Sequence, residues 1–469
     1  MRSFNLLWNL YQLKRNEHKT KEQVKAIQEK KLHRLLKIAY EHSPYYHKAF
    51  KEAGITEENL LNLPLSAFPT MDKDILMEHF EKIITKPELT QERLRRFDEE
   101  KGKGEKFLGK YHIVHSSGST GLPKYFVYDD RAWEQMLLGI IRGALWDMSM
   151  PQILRLLSGG LRILYIAATD GRYGGAMAVG DGIKGVGAKQ LFLDIKTPLS
   201  QWITSIQEFQ PNLIIGYPSA IKILGESMEH RKVKVEVCRV ISCGEPLSPG
   251  LRAYLEKVFR AVVVNFYGAS ESLALGVETN GTEGMYLFDD MNYIEIEDGQ
   301  MYLTCLYNFV QPLIRYRISD QLTLKESKLG RYPFTRTEIL LGRSEDILWF
   351  EDEEGKREFL HPLAIEGFCI EGLLDYQFQQ TDKNSFEMLA EVSQTDRENE
   401  IRGEMLAQMK EILQEKGLDY VWFSVTFVSK ILPDPKTGKK PLILKYQEYK
   451  EEEMVYQIAD YKKRAGKAG

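Results

Sequence analysis

The chain has 469 residues, room for about two to four domains, and its 43% hydrophobic content with 24 Tyr, 21 Phe and 6 Trp excludes a disordered protein. Its 63 Lys and Arg against 67 Asp and Glu leave a formal net charge of −4, which excludes a protein that draws nucleic acid by bulk positive charge. Cys238, Cys243, Cys305 and Cys369 show no CxxC spacing, which argues against a disulfide framework and a structural zinc site.

No stretch reaches the roughly 18 uninterrupted apolar residues of a membrane span. The N-terminal segment is broken by Asn5 and Asn9 and lacks a small-residue cleavage site, so no signal peptide is expected. Phe4, Leu7, Trp8 and Tyr11 share a helical face, which is expected to dock on the protein's own domain rather than on a membrane. A cytoplasmic location follows as the default.

Residues 18–52 read as helix from Val24, Ile27, Leu32, Leu35, Ile38 and Ala39, with a stop at His42-Ser43-Pro44. Charged, helical sequence continues to about Leu108. After a Ser/Gly-rich segment comes a strand-like Tyr125–Tyr128. From 130 to 275 short apolar runs alternate with helical stretches: Ile163–Ala167, Leu213–Ile215, Val237–Ser242 and Ala261–Phe266. That rhythm predicts an α/β region with mostly parallel strands. Residues 285–350 read as strand-turn-strand, with Tyr293–Glu297, Met301–Leu306, Ile314–Ile318 and Gln321–Lys325. Beyond 342 a small α+β unit is predicted: a hairpin about 352–355, helix 361–374, strand 386–392, helix 396–416 and strand 421–428.

The strongest chemical signal is Ser116-Ser117-Gly118-Ser119-Thr120-Gly121-Leu122-Pro123-Lys124. Glycines let the backbone approach a ligand closely, and interleaved hydroxyls and N–H groups suit a polyphosphate. A P-loop would need glycine where Pro123 stands. Gly180-Asp181-Gly182-Ile183-Lys184-Gly185 matches GxGxxG, but no clean strand precedes it, so a dinucleotide site is not expected there.

The 116–124 segment resembles the phosphate-binding loop of the adenylate-forming superfamily, which includes acyl- and aryl-CoA ligases, peptide-synthetase adenylation domains and luciferases. Further segments resemble it in the same order: Ser242-Cys243-Gly244-Glu245-Pro246-Leu247, Asn265-Phe266-Tyr267-Gly268-Ala269-Ser270-Glu271, Arg315-Tyr316-Arg317-Ile318-Ser319-Asp320, Gly342-Arg343-Ser344-Glu345-Asp346, and Leu432-Pro433 with Thr437-Gly438-Lys439. Gly216-Tyr217-Pro218-Ser219, Gln311–Tyr316 and His361-Pro362 with Ile365-Glu366 point to the branch of phenylacetate-CoA ligases and capsule-cluster adenylating proteins.

The resemblance implies a large α/β domain of several subdomains, 1–341, with mixed sheets, a β-rich part and a helical start at about 1–108. A small mobile α+β lid, 342–469, follows. It also implies ATP-dependent adenylation of a carboxylic acid, with Mg²⁺ and release of pyrophosphate, then acyl transfer to CoA. An aryl or small organic acid is the expected substrate. In the alternative, an amine, hydroxyl or carrier protein accepts the acyl group, or AMP stays on a target. In a third, the fold survives as a non-catalytic binding module.

Each implied role has a physical logic. Ser116, Ser117, Gly118, Ser119, Thr120 and Gly121 would hold the departing phosphates, with Lys124 as a nearby point charge. Glu271 would hold Mg²⁺, a hard cation that prefers oxygen ligands, with Thr120 and Ser270 beside it. Asn265, Phe266, Tyr267, Gly268 and Ala269, with Gly244, Glu245 and Pro246, would frame the adenine. Asp320 would accept hydrogen bonds from both ribose hydroxyls, and Arg343 would contact the same sugar or a phosphate. Lys439 would offset charge where the carboxylate meets the α-phosphate. Tyr173, Tyr217, Pro218, Ser219 and Gly268 would line the acid pocket, and Glu345 would be the hinge. The sequence departs from the family pattern at Ile318-Ser319 before Asp320. It also departs between Asp346 and Phe359, where an acidic stretch replaces a short Arg-Gly turn and puts CoA use in doubt.

Overall fold

The computed structural model describes residues 2–100, 105–115, 124–169, 174–182, 188–247, 249–282, 284–297, 300–318, 330–337, 348–352, 354–360, 362–365, 368, 370, 372–392, 397–431 and 442–444. The chain divides into two compact units, Met1–Ser344 and Glu345–Gly469.

The larger unit opens with helices α1 (Arg2–Lys14), α2 (Lys21–His42) and α3 (Pro44–Glu52). Thr20 and Gln23 form a reciprocal capping box that starts α2. The helical stretch expected over 18–52 divides into two helices at the expected stop, His42-Ser43-Pro44. Ser43 leaves helical geometry, accepts a hydrogen bond from the Tyr46 N–H, and restarts the chain with Pro44 in the first turn, where its missing N–H costs nothing. Short helices α4 (Lys73–Glu78), α5 (Phe80–Ile83) and α6 (Gln91–Glu100) follow. Strands β1 (Tyr111–His115) and β2 (Tyr125–Asp129) then pair antiparallel, and helix α7 (Asp130–Ala144) is capped by the Asp129 carboxylate.

Helix α1 docks through Leu10, buried in a cluster with Leu138, Leu145 and Ile153. The expected face is turned differently: Trp8 and Tyr11 are 54% and 39% exposed.

After α8 (Met150–Ser158), strands alternate with helices: β3 (Arg162–Ala167), α9 (Gly174–Gly182), β4 (Lys189–Asp194), α10 (Leu199–Phe209), β5 (Leu213–Gly216), α11 (Pro218–Glu229), β6 (Arg239–Cys243), α12 (Pro249–Phe259) and β7 (Val262–Ala269). β4, β3, β5, β6 and β7 lie in that spatial order, all parallel. Apolar pairs such as Ile214 beside Val240 bury both faces, as parallel sheets require. β8 (Ser272–Glu278), β9 (Met285–Leu287) and β13 (Arg336–Thr337) extend the same sheet antiparallel. Between them in sequence, β10 (Asn292–Glu297), β11 (Gln300–Cys305) and β12 (Tyr316–Ile318) form a three-stranded antiparallel sheet.

The smaller unit holds a hairpin of β14 (Leu348–Glu351) and β15 (Arg357–Leu360), then the short helix α13 (Pro362–Ile365). Strands β16 (Leu373–Asp382), β17 (Ser385–Val392), β18 (Trp422–Phe427) and β19 (Ile443–Leu444) form a sheet ordered β18-β17-β16-β19, with α14 (Glu398–Lys416) between β17 and β18 in sequence. The helix expected over 361–374 is one turn among the described residues. From Leu373 the chain is strand, because Leu373 to Asp382 pairs along β17 and buries Tyr376 and Phe378. Helix α14 buries Ile401, Met405, Met409 and Leu413, a four-residue stripe. No helix among the described residues is long and apolar enough to cross a membrane.

Candidate active site

Open α/β sheets bind ligands beyond the carboxyl ends of their parallel strands. Here those ends carry Gly216–Ser219 after β5, Cys243–Pro246 after β6 and Tyr267–Glu271 after β7, on neighbouring strands in register. Gly216 is required by close approach: a Cβ there would meet the Ile166 carbonyl oxygen at 2.1 Å. The Tyr217 N–H donates to that same oxygen at 3.1 Å, which fixes the start of α11.

Two of the candidate loops are joined side by side. Gly244 adopts φ 80°, the left-handed region that favours glycine. The Tyr217 ring lies against it so closely that a Cβ would sit 2.5 Å from Cε1. One turn on, the Glu245 carboxylate accepts from the Ser219 N–H at 3.2 Å and its hydroxyl at 2.6 Å. The carboxylate thus caps the N-terminal end of α11. Burial, then the Glu245 charge, push the Cys243 thiol up to about 12, so it does not act as a nucleophile.

The 265–271 segment forms the end of β7 and the turn into β8. Phe266 and Tyr267 are core residues, and the Tyr267 hydroxyl points at Met301 Sδ, 3.6 Å away. Gly268 sits at an irregularity in the ladder, where a Cβ would lie 2.4 Å from the Leu273 carbonyl oxygen. Tyr128, buried on β2, donates its hydroxyl toward the carbonyls of Ser270 at 2.9 Å and Glu271 at 3.2 Å. This ties the Glu271 turn to the hairpin whose two strands flank residues 116–124. The side chain of Gln311 zips onto the same strand, accepting from the Val127 N–H at 2.8 Å and donating to the Tyr125 carbonyl at 3.1 Å.

The Glu271 carboxylate takes a hydrogen bond from the Tyr316 hydroxyl. Burial first, and then that carboxylate, hold the Tyr316 phenol well above its ordinary range, so it stays a donor. Lys124 faces the same group. Burial pulls its ammonium below the usual lysine value, Glu271 opposes, and Lys73 reinforces the fall. Lys73 comes from the first turn of α4. Its segment is bound edge-on to β12, with the Met71 N–H on the Arg315 carbonyl at 3.0 Å and the Arg317 N–H on the Met71 carbonyl at 2.7 Å. Arg315 holds this junction through Glu295 at 3.1 Å and the carbonyls of Ser66 and Phe68 at 3.0 Å.

At the base of the hairpin His112 is buried and stacked on Trp133, ring centroids 4.4 Å apart. Its Nε2 lies 3.0 Å from Asp130 and its Nδ1 3.5 Å from Asp181. Burial, the largest influence, depresses its proton affinity despite both carboxylates.

Of the residues singled out in the sequence, Lys124, Tyr217, Pro218, Ser219, Gly244, Glu245, Pro246 and Asn265 through Glu271 are described and gather at one end of the sheet. Ser116, Ser117, Gly118, Ser119, Thr120, Gly121, Tyr173, Asp320, Arg343, Glu345 and Lys439 lie outside the described residues, as does the expected strand Gln321–Lys325. Sequence reading missed Lys73 and the direct bond from Tyr316 to Glu271. Lys73 falls in the charged, helical stretch before Leu108, and its neighbour β12 is more than 240 residues away.

Residues 110–294 match the family model of AMP-binding enzymes. That segment, which holds β1 to β9 and most of β10, is what the chain shares with AMP-binding enzymes. Over 358 residues the chain is 25% identical to phenylacetate-coenzyme A ligase of Thermus thermophilus, covering 70% of this chain and 72% of that protein. It is 21% identical to Protein CapK of Staphylococcus aureus over 428 residues, covering 85% and 84%. The superfamily and branch read from the motifs are therefore those of its relatives. Among solved structures, 2-hydroxyisobutyryl-CoA ligase, in complex with 2-HIB-AMP and CoA in the thioesterification state, aligns with a TM-score of 0.61. At 18% identity and with 96% of this chain and 94% of that one covered, it shows that the fold is shared.

Proposed function

We propose that the protein joins a carboxylic acid to the α-phosphate of ATP and then passes the acyl group to the thiol of CoA. The acid is aryl or a small organic acid, and the reaction runs in the cytoplasm. In the first step a carboxylate oxygen attacks the α-phosphorus, the bond to the bridging oxygen breaks, and pyrophosphate leaves. In the second the CoA sulfur attacks the acyl carbon, AMP leaves, and the thiol proton goes to solvent. Two anions must meet in the first step, so the site has to supply positive charge and fixed donors there.

The observation that carries this reading is the convergence of Lys124, Lys73, Glu271 and the Tyr316 hydroxyl where the 116–124 segment leaves and rejoins its hairpin. Residues 116–121 would cradle the β- and γ-phosphates, and Lys124 and Lys73 would add point charges. Glu271 fits Mg²⁺: it offers a hard carboxylate whose geometry the Tyr316 donor restrains, and a magnesium ion on nucleotide phosphates needs only one or two such groups. Bound there, Mg²⁺ would neutralise charge on the phosphates. Asn265 and the backbone at 244–246 frame the adenine, Asp320 and Arg343 hold the ribose, and Tyr217, Pro218 and Ser219 with Tyr173 wall the acid. Lys439 stabilises charge at the reacting centre, and the smaller unit, Glu345–Gly469, turns about Glu345 between the half-reactions.

Acid-dependent exchange of labelled pyrophosphate into ATP tests the first half, and CoA thioester formation tests the second. Exchange without CoA consumption would redirect the second half to another acceptor.

A further inference from the structure

The side chain of Asn265 is held in one orientation by residues that sit behind the candidate adenine site. Its Nδ2 donates to Glu278 Oε2 at 3.0 Å, and Arg252 Nη2 donates to the same oxygen at 2.6 Å. The pair Asn265 and Glu278 are direct partners across the β7–β8 ladder, so this bond is built into the sheet register. Arg252, from α12, also reaches the Val263 carbonyl at 3.3 Å, which anchors it to β7. Glu278 is 5% exposed and Asn265 is 7% exposed.

A carboxylate oxygen accepts and cannot donate, so only the NH₂ end of a carboxamide can face it. The orientation of Asn265 is therefore dictated by chemistry. Arg252 gives the buried Glu278 carboxylate its ion-pair partner at 2.6 Å. With its NH₂ committed to Glu278, Asn265 has its Oδ1 left over as an acceptor. A fixed acceptor selects a purine whose 6-position carries an N–H donor and rejects one that carries an oxygen there.

We propose that Glu278, braced by Arg252, is a positioning residue that sets base selectivity by presenting Asn265 Oδ1 as an acceptor to the 6-amino group of adenine. This rests on the reading that Asn265 borders the nucleotide base. Glu278 itself does not touch the nucleotide. Without it the carboxamide can turn over and offer its NH₂ to a 6-oxo purine, so selectivity falls while the phosphate and ribose contacts persist.

The experiment uses the full chain and titrates AMP and IMP by calorimetry, so no acid substrate needs to be known. Wild type is expected to bind AMP about 10-fold or more tightly than IMP, the scale set by one mismatched buried polar pair. Glu278→Met keeps the side-chain length but offers no strong acceptor, and the preference should fall to about 2-fold, mainly through tighter IMP binding. Glu278→Gln keeps an amide oxygen for both Arg252 and Asn265, so it should hold the wild-type preference. Glu278→Thr, compatible with a strand but too short to reach Asn265, replaces the methionine variant if that protein does not melt cooperatively. Equal AMP and IMP binding by wild type, or an unchanged preference in folded Glu278→Met or Glu278→Thr, overturns the inference. Failure of wild type to bind AMP at all would instead overturn the nucleotide reading beneath it.

Discussion

Substituting Gly244 by alanine perturbs two candidate subsites with a single methyl. The new Cβ would lie 2.5 Å from Tyr217 Cε1 and 2.8 Å from its Cδ1. Ordinary carbon contacts are about 3.5–4.0 Å, so the ring or the loop must yield by about 1 Å. The φ of 80° adds left-handed strain of roughly 1–2 kcal/mol for a residue with a Cβ. Overpacking adds about 1–3 kcal/mol if the ring stays in place. The cheapest relief is outward movement of 244–246, the backbone assigned to the adenine. If about 1.4 kcal/mol of the strain falls on the bound state, AMP affinity drops roughly 10-fold. Displacement of Tyr217 should also raise the KM for the acid in pyrophosphate exchange. Gly250 in α12 is the control: a Cβ there meets nothing within 4 Å. Gly250→Ala should stabilise the helix by about 0.5–1 kcal/mol and leave AMP binding unchanged. A folded Gly244→Ala that binds AMP as tightly as wild type would refute the packing of the two loops as a determinant of the site.

Tyr316→Phe removes the donor from Glu271, so half-maximal pyrophosphate exchange should need about 10-fold more Mg²⁺, with the KM for the acid unchanged; an unaltered Mg²⁺ titration would remove Tyr316 from the site. Burial depresses the proton affinity of His112 in the folded state, so the unfolded chain takes up a proton first as pH falls. Its stabilising contribution is therefore present above about 6.5 and is lost as pH drops below that value, so urea melts should weaken from pH 7.5 to 5.5, and less steeply in His112→Asn. Lys439→Ala should slow exchange by about 100- to 1,000-fold while AMP binding survives, measured by exchange and calorimetry together. Glu345→Pro should slow thioester formation and spare exchange; equal loss of both would reject Glu345 as a hinge.

The strands and turns that carry the candidate site were legible where local chemistry and local structure coincide. Apolar runs at 163–167 and 213–215 could only be buried strands, and glycines at 216 and 244 stand where close packing and a positive φ demand them. What escaped was non-local. Nothing in Asp72-Lys73-Asp74 announces that Met71 will pair with Tyr316, and nothing in Glu278 announces that it will orient Asn265. The error at 361–374 has a similar root. The helical reading ran to 374, but α13 ends at Ile365 and the strand that pairs on β17 already begins at Leu373. Trp8 and Tyr11 look like a docking face on a helical wheel, but Leu10 fits the cluster on α7 and turns them outward.

The central claim, acid adenylation, is tested most directly by pyrophosphate exchange with wild-type protein and MgATP over a panel of aryl and small organic acids, phenylacetate included, with and without CoA. At least one acid should support exchange in the absence of CoA, and the same acid should yield its CoA thioester and AMP when CoA is added. Absence of exchange with every acid, from protein that still binds AMP, would contradict the account.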